Sequence, residues 1–488
     1  MLIRQCEIDG RRCDVRIVGG FITAIAAGLV RAAGEPTREA RGGALLPGLS
    51  DHHLHLFAAA AALSSVRCGP PQLRSASELA AALVGAPGAG WLRGVGYHES
   101  VAGSLDRAAL DRWLPVRPAR IQHRSGALWM LNSAAIGELG LDAGVDAPGV
   151  ERDASGRATG RLFRLDAWLG ARVPRSSEQG LAAISVQLAR CGVVAVTDTG
   201  ADNGARALAS IAAAQRSGAL RQRVLLMGSE ELPAANAREL ARGALKLLLD
   251  ERALPELSGF SARIARSHSA GRAVAIHCVT RTELVFALAA FSEAGTQCGD
   301  RIEHASVAPP ELLGPLRQLG LAVVTQPSFV RERGDEYLAE VEPADRPWLY
   351  RARAFLAAGI PLAGGSDAPY SEPDPWRAMR AAVARRSERG RALGSAEALT
   401  PEEALALFSS PLESPGWPAP PLAPGSRADL CLLRAPWGEA RRELSAELVS
   451  ATWRDGSLIW SDDPADASAM PLQPLACAPA ANDPPRGQ

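Results

Sequence analysis

The sequence almost lacks lysine. Of its 53 basic residues one is lysine, Lys246, and the other 52 are arginine. Abundant Ala, Gly and Pro accompany this bias, which points to high-GC coding that replaces Lys by Arg wherever Arg serves. A lysine that survives such a bias marks a place where an amine does what a guanidinium cannot. Long hydrophobic runs are missing too: no stretch of about 18 or more uninterrupted apolar residues occurs, so no membrane span is expected. The N-terminus MLIRQCEIDGRRCDVRIVGG carries charges throughout and has no apolar core segment, so no signal peptide is expected. Net charge is absent, with 53 acidic residues against 53 basic. That leaves no electrostatic case for nucleic acid or an anionic membrane, and a small molecule is the expected partner. The cysteines (Cys6, Cys13, Cys68, Cys191, Cys278, Cys298, Cys431 and Cys477) form no CxxC pair. In a chain of 488 residues they read as reduced cytoplasmic thiols rather than a disulfide framework.

Eight short apolar, β-branched-rich runs read as buried strands, at 44–56, 193–200, 222–228, 244–250, 272–279, 301–307, 321–328 and 361–367. Between them EQGLAAISVQLAR, GARALASIAAAQRS, RTELVFALAAFSEAG, PELLGPLRQLG and RARAFLAAG read as helices, several ending at a capping Gly. From the second run onward the starts lie about 20–40 residues apart, the spacing of a repeated β–α unit. The expected class is α/β: a (β/α)₈ TIM barrel over 44–421, with an open doubly wound sheet as the alternative arrangement. Residues 57–190 are too long for one crossover and are expected to form an inserted subdomain after the first barrel strand. Residues 1–43 and 422–461 read as short strands and turns, expected to join both chain ends in one small β-sandwich-like domain. The Pro/Ala-rich segment 462–488 is expected to be a frayed tail.

The histidines are few, and four of them fall near strand ends. His53 and His55 lie on the first run, His277 on the fifth and His304 on the sixth; Lys246 lies on the fourth, and Asp367 ends the eighth. Carboxyl ends of barrel strands converge on one mouth, where such barrels place their chemistry. Two residues apart on a strand, His53 and His55 face the same side and can grip one ion. A lone buried histidine is usually a satisfied core residue, and that is the plain reading of each of them taken singly. His52 is expected to face away and serve structure, and His268, in a helix-like stretch, to face solvent. Cys278 has no identifiable base beside it and reads as a packing residue.

The ordered text PGLSDHHLH, AIHCV, RIEH and GGSDAP resembles the amidohydrolase superfamily. With WLRGVGYHES, WMLNSAAIGELG and the closing GSRADLCLL it resembles the amidohydrolase-3 branch, which includes N-substituted formamide deformylases, over most of residues 1–461. The resemblance implies a metal site of His53, His55, Lys246, His277, His304 and Asp367 holding one or two divalent ions. Zn²⁺ suits a donor set rich in imidazole. It also implies that Lys246 is N6-carboxylated in a two-metal site, chemistry open to a neutral amine and closed to a guanidinium. The implied activity is hydrolysis of a non-peptide C–N bond (amide, formamide or cyclic amide) by a metal-activated hydroxide, with Asp367 as the catalytic proton carrier. A homodimer is a family-level expectation. Tyr97, His98, His123 and Arg124 of the insertion, and Arg281 after the fifth strand, are candidates for substrate contact.

Two departures bear on substrate. Related branches often follow the fifth-strand His with Gly-Asp, where this chain reads His277-Cys278-Val279-Thr280, and HRSGALWMLNS lacks the His that many relatives carry after that Gly. Ester or lactone hydrolysis and deamination are the alternatives on the same metals. Deaminases usually place Glu at the position of Thr280, which argues against the latter. A non-catalytic binding homologue is the alternative of another class, and such proteins typically lose the ligands that this chain keeps.

Overall fold

The computed structural model describes residues 1–70, 72–145, 147–173 and 178–466, so most of the expected tail at 462–488 lies outside the described residues. The chain divides into two compact units. One comprises Met1–His55, Ser185–Asp367 and the chain from Ser371 onward; the other comprises Leu56–Ile184 with Ala368–Tyr370.

The first unit is built on eight strands: β1 (Leu49–Leu54), β2 (Val193–Asp198), β3 (Arg223–Gly228), β4 (Leu240–Leu248), β5 (Val274–Cys278), β6 (Arg301–His304), β7 (Ala322–Thr325) and β8 (Leu362–Gly364). They lie in that order in one sheet, every neighbouring pair parallel. Every residue of β1, β2, β6, β7 and β8 is buried, as strands covered on both faces require. The two edges meet through the backbone: Asp367 N–H donates to the His53 carbonyl at 2.6 Å, and Ser366 N–H to Asp51 Oδ1 at 3.0 Å. The sheet is thus a nearly closed (β/α)₈ barrel, and the open-sheet alternative falls away.

Helices Ala205–Arg216, Leu257–Ser269, Arg281–Ala294, Pro310–Gln318, Ala352–Ala357 and Pro375–Ala384 intervene. Arg281–Ala294 begins at a capping box, in which the Thr280 hydroxyl accepts from Glu283 N–H and the Glu283 carboxylate accepts from Thr280 N–H. The repeat fails once. No helix separates β3 from β4 among the described residues, because the eleven-residue link carries Pro233 and no amphipathic run. Arg272 braces this place instead, donating to the carbonyls of Gly228, Ser229, Gly243 and Ala244 at 2.6–3.0 Å.

The apolar run at 44–56 is two strands rather than one. Leu45–Pro47 pairs antiparallel with Leu430–Leu433, and the break falls at Gly48, where a Cβ would stand 2.7 Å from Val194. Beside the barrel, two four-stranded sheets use both chain ends. Strands Phe21–Ala26, Arg11–Val18, Leu2–Ile8 and Thr37–Glu39 make one; Ser457–Ser461, Val449–Arg454, Leu430–Leu433 and Leu45–Pro47 make the other. Ile3, Val15, Ile22, Leu45, Leu430, Leu432 and Trp453 fill the core they share.

The second unit holds a six-stranded sheet, ordered Val150–Arg152, Ala158–Phe163, Leu128–Leu131, Ala119–His123, Leu92–Tyr97 and Val66–Arg67. Leu92, Ile121 and Met130 pack with Leu79 and Leu83 of the capped helix Ala76–Val84. Trp129, Leu131 and Leu162 join a second cluster with Ile136 and Leu169. Every described cysteine is a free thiol. No described helix is long and apolar enough to cross a membrane. One expectation is corrected: His268 does not simply face solvent but places Nε2 3.0 Å from Asp300, across to the loop before β6.

Candidate metal centre

The carboxyl ends of the barrel strands bring the sequence-predicted ligands together. His53 lies on β1, 1% exposed, and His55 one step past its end. Their Nε2 atoms stand 3.4 and 3.2 Å from one oxygen, Oδ1 of Asp367. His53, His304 and Asp367 each present a ligand atom, all within 4.8 Å of one another. The His304 ring packs on His53 and on His277, with centroids 4.7 and 4.5 Å apart. Lys246 is buried on β4, with Nζ 3.9 Å from Oε1 of Glu303.

Backbone geometry aims two of these groups. His304 and Asp367 have φ of 68° and 56°, the left-handed region that non-glycine residues avoid. Such strain persists where surrounding contacts over-determine it, and it clusters at functional sites. Asp51 supplies part of that hold: its Oδ1 accepts the amides of His53 and Ser366 at 3.1 and 3.0 Å.

Sequence reasoning missed the residues behind the ligands. Glu303, fully buried, has Oε2 2.5 Å from Nδ1 of His53, and Oε1 takes the Arg301 Nε–H at 2.6 Å. Gln326 Oε1 lies 2.6 Å from Nδ1 of His304. The Glu303 carboxylate can only accept, so it fixes Nδ1 of His53 as the protonated nitrogen and leaves the Nε2 lone pair for a ligand, the usual arrangement behind metal-binding imidazoles. The signal available was the Glu of RIEH; nothing marked Gln326.

Electrostatics agree with a cation cradle. Burial, reinforced by His53, lowers His304 to about 3, and burial with His304 beside it holds His277 well below its ordinary value. Both are therefore neutral, the form that binds metal. Burial alone would raise Asp367, but His53 and His55 outweigh it and hold the carboxyl well below its usual range. Burial lowers Lys246 to about 8, which brings a neutral amine within reach near physiological pH. Of the candidate ligands, two present a polar atom buried without a hydrogen bond among the described residues, Asp367 Oδ1 and Lys246 Nζ. Buried polar atoms rarely stay unsatisfied. Orphaned buried ligand atoms beside imidazoles fit a divalent cation, and the residues that would hold it are His53, His55, Lys246, His277, His304 and Asp367.

The remaining candidates have partners of their own. Arg281 pairs with Asp345 at 3.3 Å. Cys278 is buried, its thiol pushed well up by burial and by Glu283, which suits packing rather than nucleophilic work. In the second unit Tyr97 is buried and donates to the Gly103 carbonyl at 2.5 Å, and its own carbonyl accepts from Arg124 N–H. His98 caps helix Glu99–Ala102, and His123 Nε2 lies 3.0 Å from Glu99. These four form a cluster of their own within that unit.

Comparison with known proteins gives this geometry its context. Residues 37–459 match the model of the amidohydrolase family. An N-substituted formamide deformylase of Arthrobacter pascens is 26% identical, covering 88% of this chain and 91% of its own length. The putative amidohydrolase YtcJ of Bacillus subtilis (strain 168) is 25% identical over 75% of this chain and 79% of its own. Among solved structures, a metal-dependent hydrolase of Pyrococcus horikoshii aligns with a TM-score of 0.71 at 20% identity, covering 89% of this chain and 97% of that one, which shows a shared fold. Because the family match runs from the strand Thr37–Glu39 through every barrel strand to the last strand of the β domain, the chain belongs to the amidohydrolase family.

Proposed function

We propose that this enzyme hydrolyses a non-peptide C–N bond in a small amide, formamide or cyclic amide. The observation that carries this reading is the placement of one buried carboxylate oxygen, Asp367 Oδ1, against two histidines at the mouth of the barrel. A divalent ion held there, Zn²⁺ by the donor set, would supply the Lewis acidity that lowers the pKa of water and polarises a carbonyl. Asp367, ionised at neutral pH, accepts the proton of the attacking water and returns it to the departing nitrogen. An amide nitrogen leaves poorly until protonated, so the second transfer matters as much as the first. Lys246 supports a two-ion form: as an uncharged amine it can add carbon dioxide, and the carbamate would serve as an oxygen ligand. The relative named for formamide deformylation directs the choice among C–N bonds.

Deamination is less well supported. Thr280 stands where an acid would be needed and caps a helix, and Glu283, the nearest acid in the chain, is spent on the amides of Val279, Thr280 and Glu251.

The test is metal content and turnover on a panel of N-substituted formamides, cyclic amides and carboxylic esters, with wild type and Lys246→Arg grown with zinc and bicarbonate. About two ions per wild-type chain, fewer in the variant, and chelator-sensitive turnover of a formamide or amide support the proposal. Metal-free protein inert on the whole panel, before and after zinc is added, overturns it.

A further inference from the structure

One face of the six-stranded sheet sets two arginines side by side. Arg93 and Arg120 are register partners on adjacent parallel strands, Leu92–Tyr97 and Ala119–His123, so their side chains leave the sheet on the same face. Like charges opposed in this way repel. Both guanidinium carbons stand over the ring of Trp129, 5.4 and 5.1 Å from its centroid, and that ring is buried. Arg67, on the next strand, adds a third positive charge that acts on Arg93.

Compensation is thin. Neither Arg93 nor Arg120 pairs with a carboxylate among the described residues. Arg93 donates to Ser65 Oγ at 2.8 Å and to Gln122 Oε1 at 3.5 Å. The guanidinium of Arg120 makes no hydrogen bond to any described residue. The acid whose field reaches both is Asp166, and its Oδ1 already accepts from Trp129 Nε1 at 2.8 Å and Gln122 Nε2 at 3.2 Å. Burial lowers both arginines to about 10; Tyr370 and Asp166 offset part of the effect on Arg93 and Asp166 part of that on Arg120, while Arg67 adds to the first and Arg93 to the second. Stacking on one indole accounts for the ring contacts. It leaves the repulsion between two half-buried cations unrelieved, and the Arg120 guanidinium has no acceptor among the described residues.

We propose that Arg93 and Arg120, backed by Trp129, form an oxyanion-binding site on the second unit, taking a carboxylate or phosphate group between their two guanidinium forks. Planar forks match the oxygens of such groups two at a time, which a point charge does not. Occupancy relieves the repulsion between the two cations and supplies the acceptors Arg120 lacks. The proposal does not depend on the activity proposed for the metal centre.

The test is isothermal titration of the full chain with inorganic phosphate and, separately, with acetate, at ionic strength fixed by chloride, on wild type, Arg120→Gln and Arg120→Lys. One saturable site per chain is expected in wild type, weakened at least tenfold in Arg120→Gln and by less in Arg120→Lys, which keeps the charge and loses the fork. Tighter phosphate identifies a phosphoryl ligand; tighter acetate identifies an organic acid. Without anion, Arg120→Gln is expected to melt no lower than wild type, since it removes a repulsion, and addition of the bound anion raises the melting temperature of wild type alone. No saturable binding of either anion, or equal binding in all three proteins, overturns the proposal. If Arg120→Gln does not fold, Arg120→Lys decides: unchanged affinity there overturns it.

Discussion

Glu303 Oε2 lies 2.5 Å from Nδ1 of His53, and this contact ties a fully buried carboxylate to the first-strand histidine. The same carboxylate neutralises Arg301 and faces Lys246, so one group sets the tautomer of an imidazole and balances two cations. Glu303→Gln is expected to weaken metal binding by about 10–100-fold, the usual cost of losing a carboxylate behind a ligating histidine. It also leaves Arg301 buried beside a neutral amide, which is expected to cost about 3–5 kcal/mol of stability. A competitive chelator titration reads the first effect and thermal denaturation the second. Wild-type zinc affinity in the variant would remove Glu303 from the site.

The cluster of His53, His304 and Asp367 was legible in the sequence because each lies at or near the end of a short apolar run, and strand ends in such a barrel share one mouth. Glu303 was not, and the reason lies in the backbone. His277 pairs with Glu303 in register, and Cys278 with His304. Regular alternation therefore sends Glu303 inward with His277 and His304 outward with Cys278. The positive φ of His304 breaks the alternation and lets consecutive residues serve one site. No spacing rule announces such a turn. The same holds for the brace at Arg272 and the contact of His268 with Asp300: both join segments far apart in sequence, and such contacts leave no local periodicity. The pairing of Arg93 with Arg120 needed the register of two strands inside a segment whose topology the sequence does not reveal.

Arg272 stands in for the helix that the β3–β4 link lacks. Its guanidinium, 6% exposed with its residue, donates to four backbone carbonyls. Arg272→Met preserves much of the aliphatic stem and removes every donor, leaving several buried acceptors unsatisfied. The expected loss is about 2–4 kcal/mol, since each orphaned acceptor costs on the order of 1–3 kcal/mol before relaxation. Urea unfolding of the variant checks this, and a loss under about 0.5 kcal/mol, the level of an ordinary surface substitution, would show that water replaces the arginine without penalty.

Glu332 gives stability a pH dependence. Burial raises its carboxyl from 4.5 to about 7, with Arg377 only partly offsetting the rise. A folded-state value above the unfolded one means that the native protein binds this proton between those limits while the unfolded chain does not. Its contribution to stability is thus most favourable below 4.5, falls as pH rises through that window, and is level above about 7. Glu332→Gln removes the dependence. The variant is expected to gain on wild type as pH rises from 4.5 to about 7, by on the order of 1–3 kcal/mol at the upper end. Denaturation of both proteins across that range checks the sign, and parallel curves would contradict it.

Asp367 is the residue on which the proposed proton transfers turn. Its charge is held by His53 and His55, its backbone by the amide contact to the His53 carbonyl, and its Oδ1 lies free of hydrogen bonds among the described residues. An ionised oxygen so placed can take a proton and give it back; an amide cannot. Asp367→Asn keeps the size of the side chain and leaves four imidazoles in place, so metal content is expected to stay close to wild type. Turnover is expected to fall about 10²–10⁴-fold, the range for loss of a general acid–base group, mostly in kcat. Because Asn does not titrate, the acidic limb of the kcat/KM profile should vanish from whatever rate remains. Metal measured on the same preparations separates the two roles of the carboxylate. Full metal with full kcat would mean that the proton travels another way, and loss of metal with loss of rate would make Asp367 first a ligand.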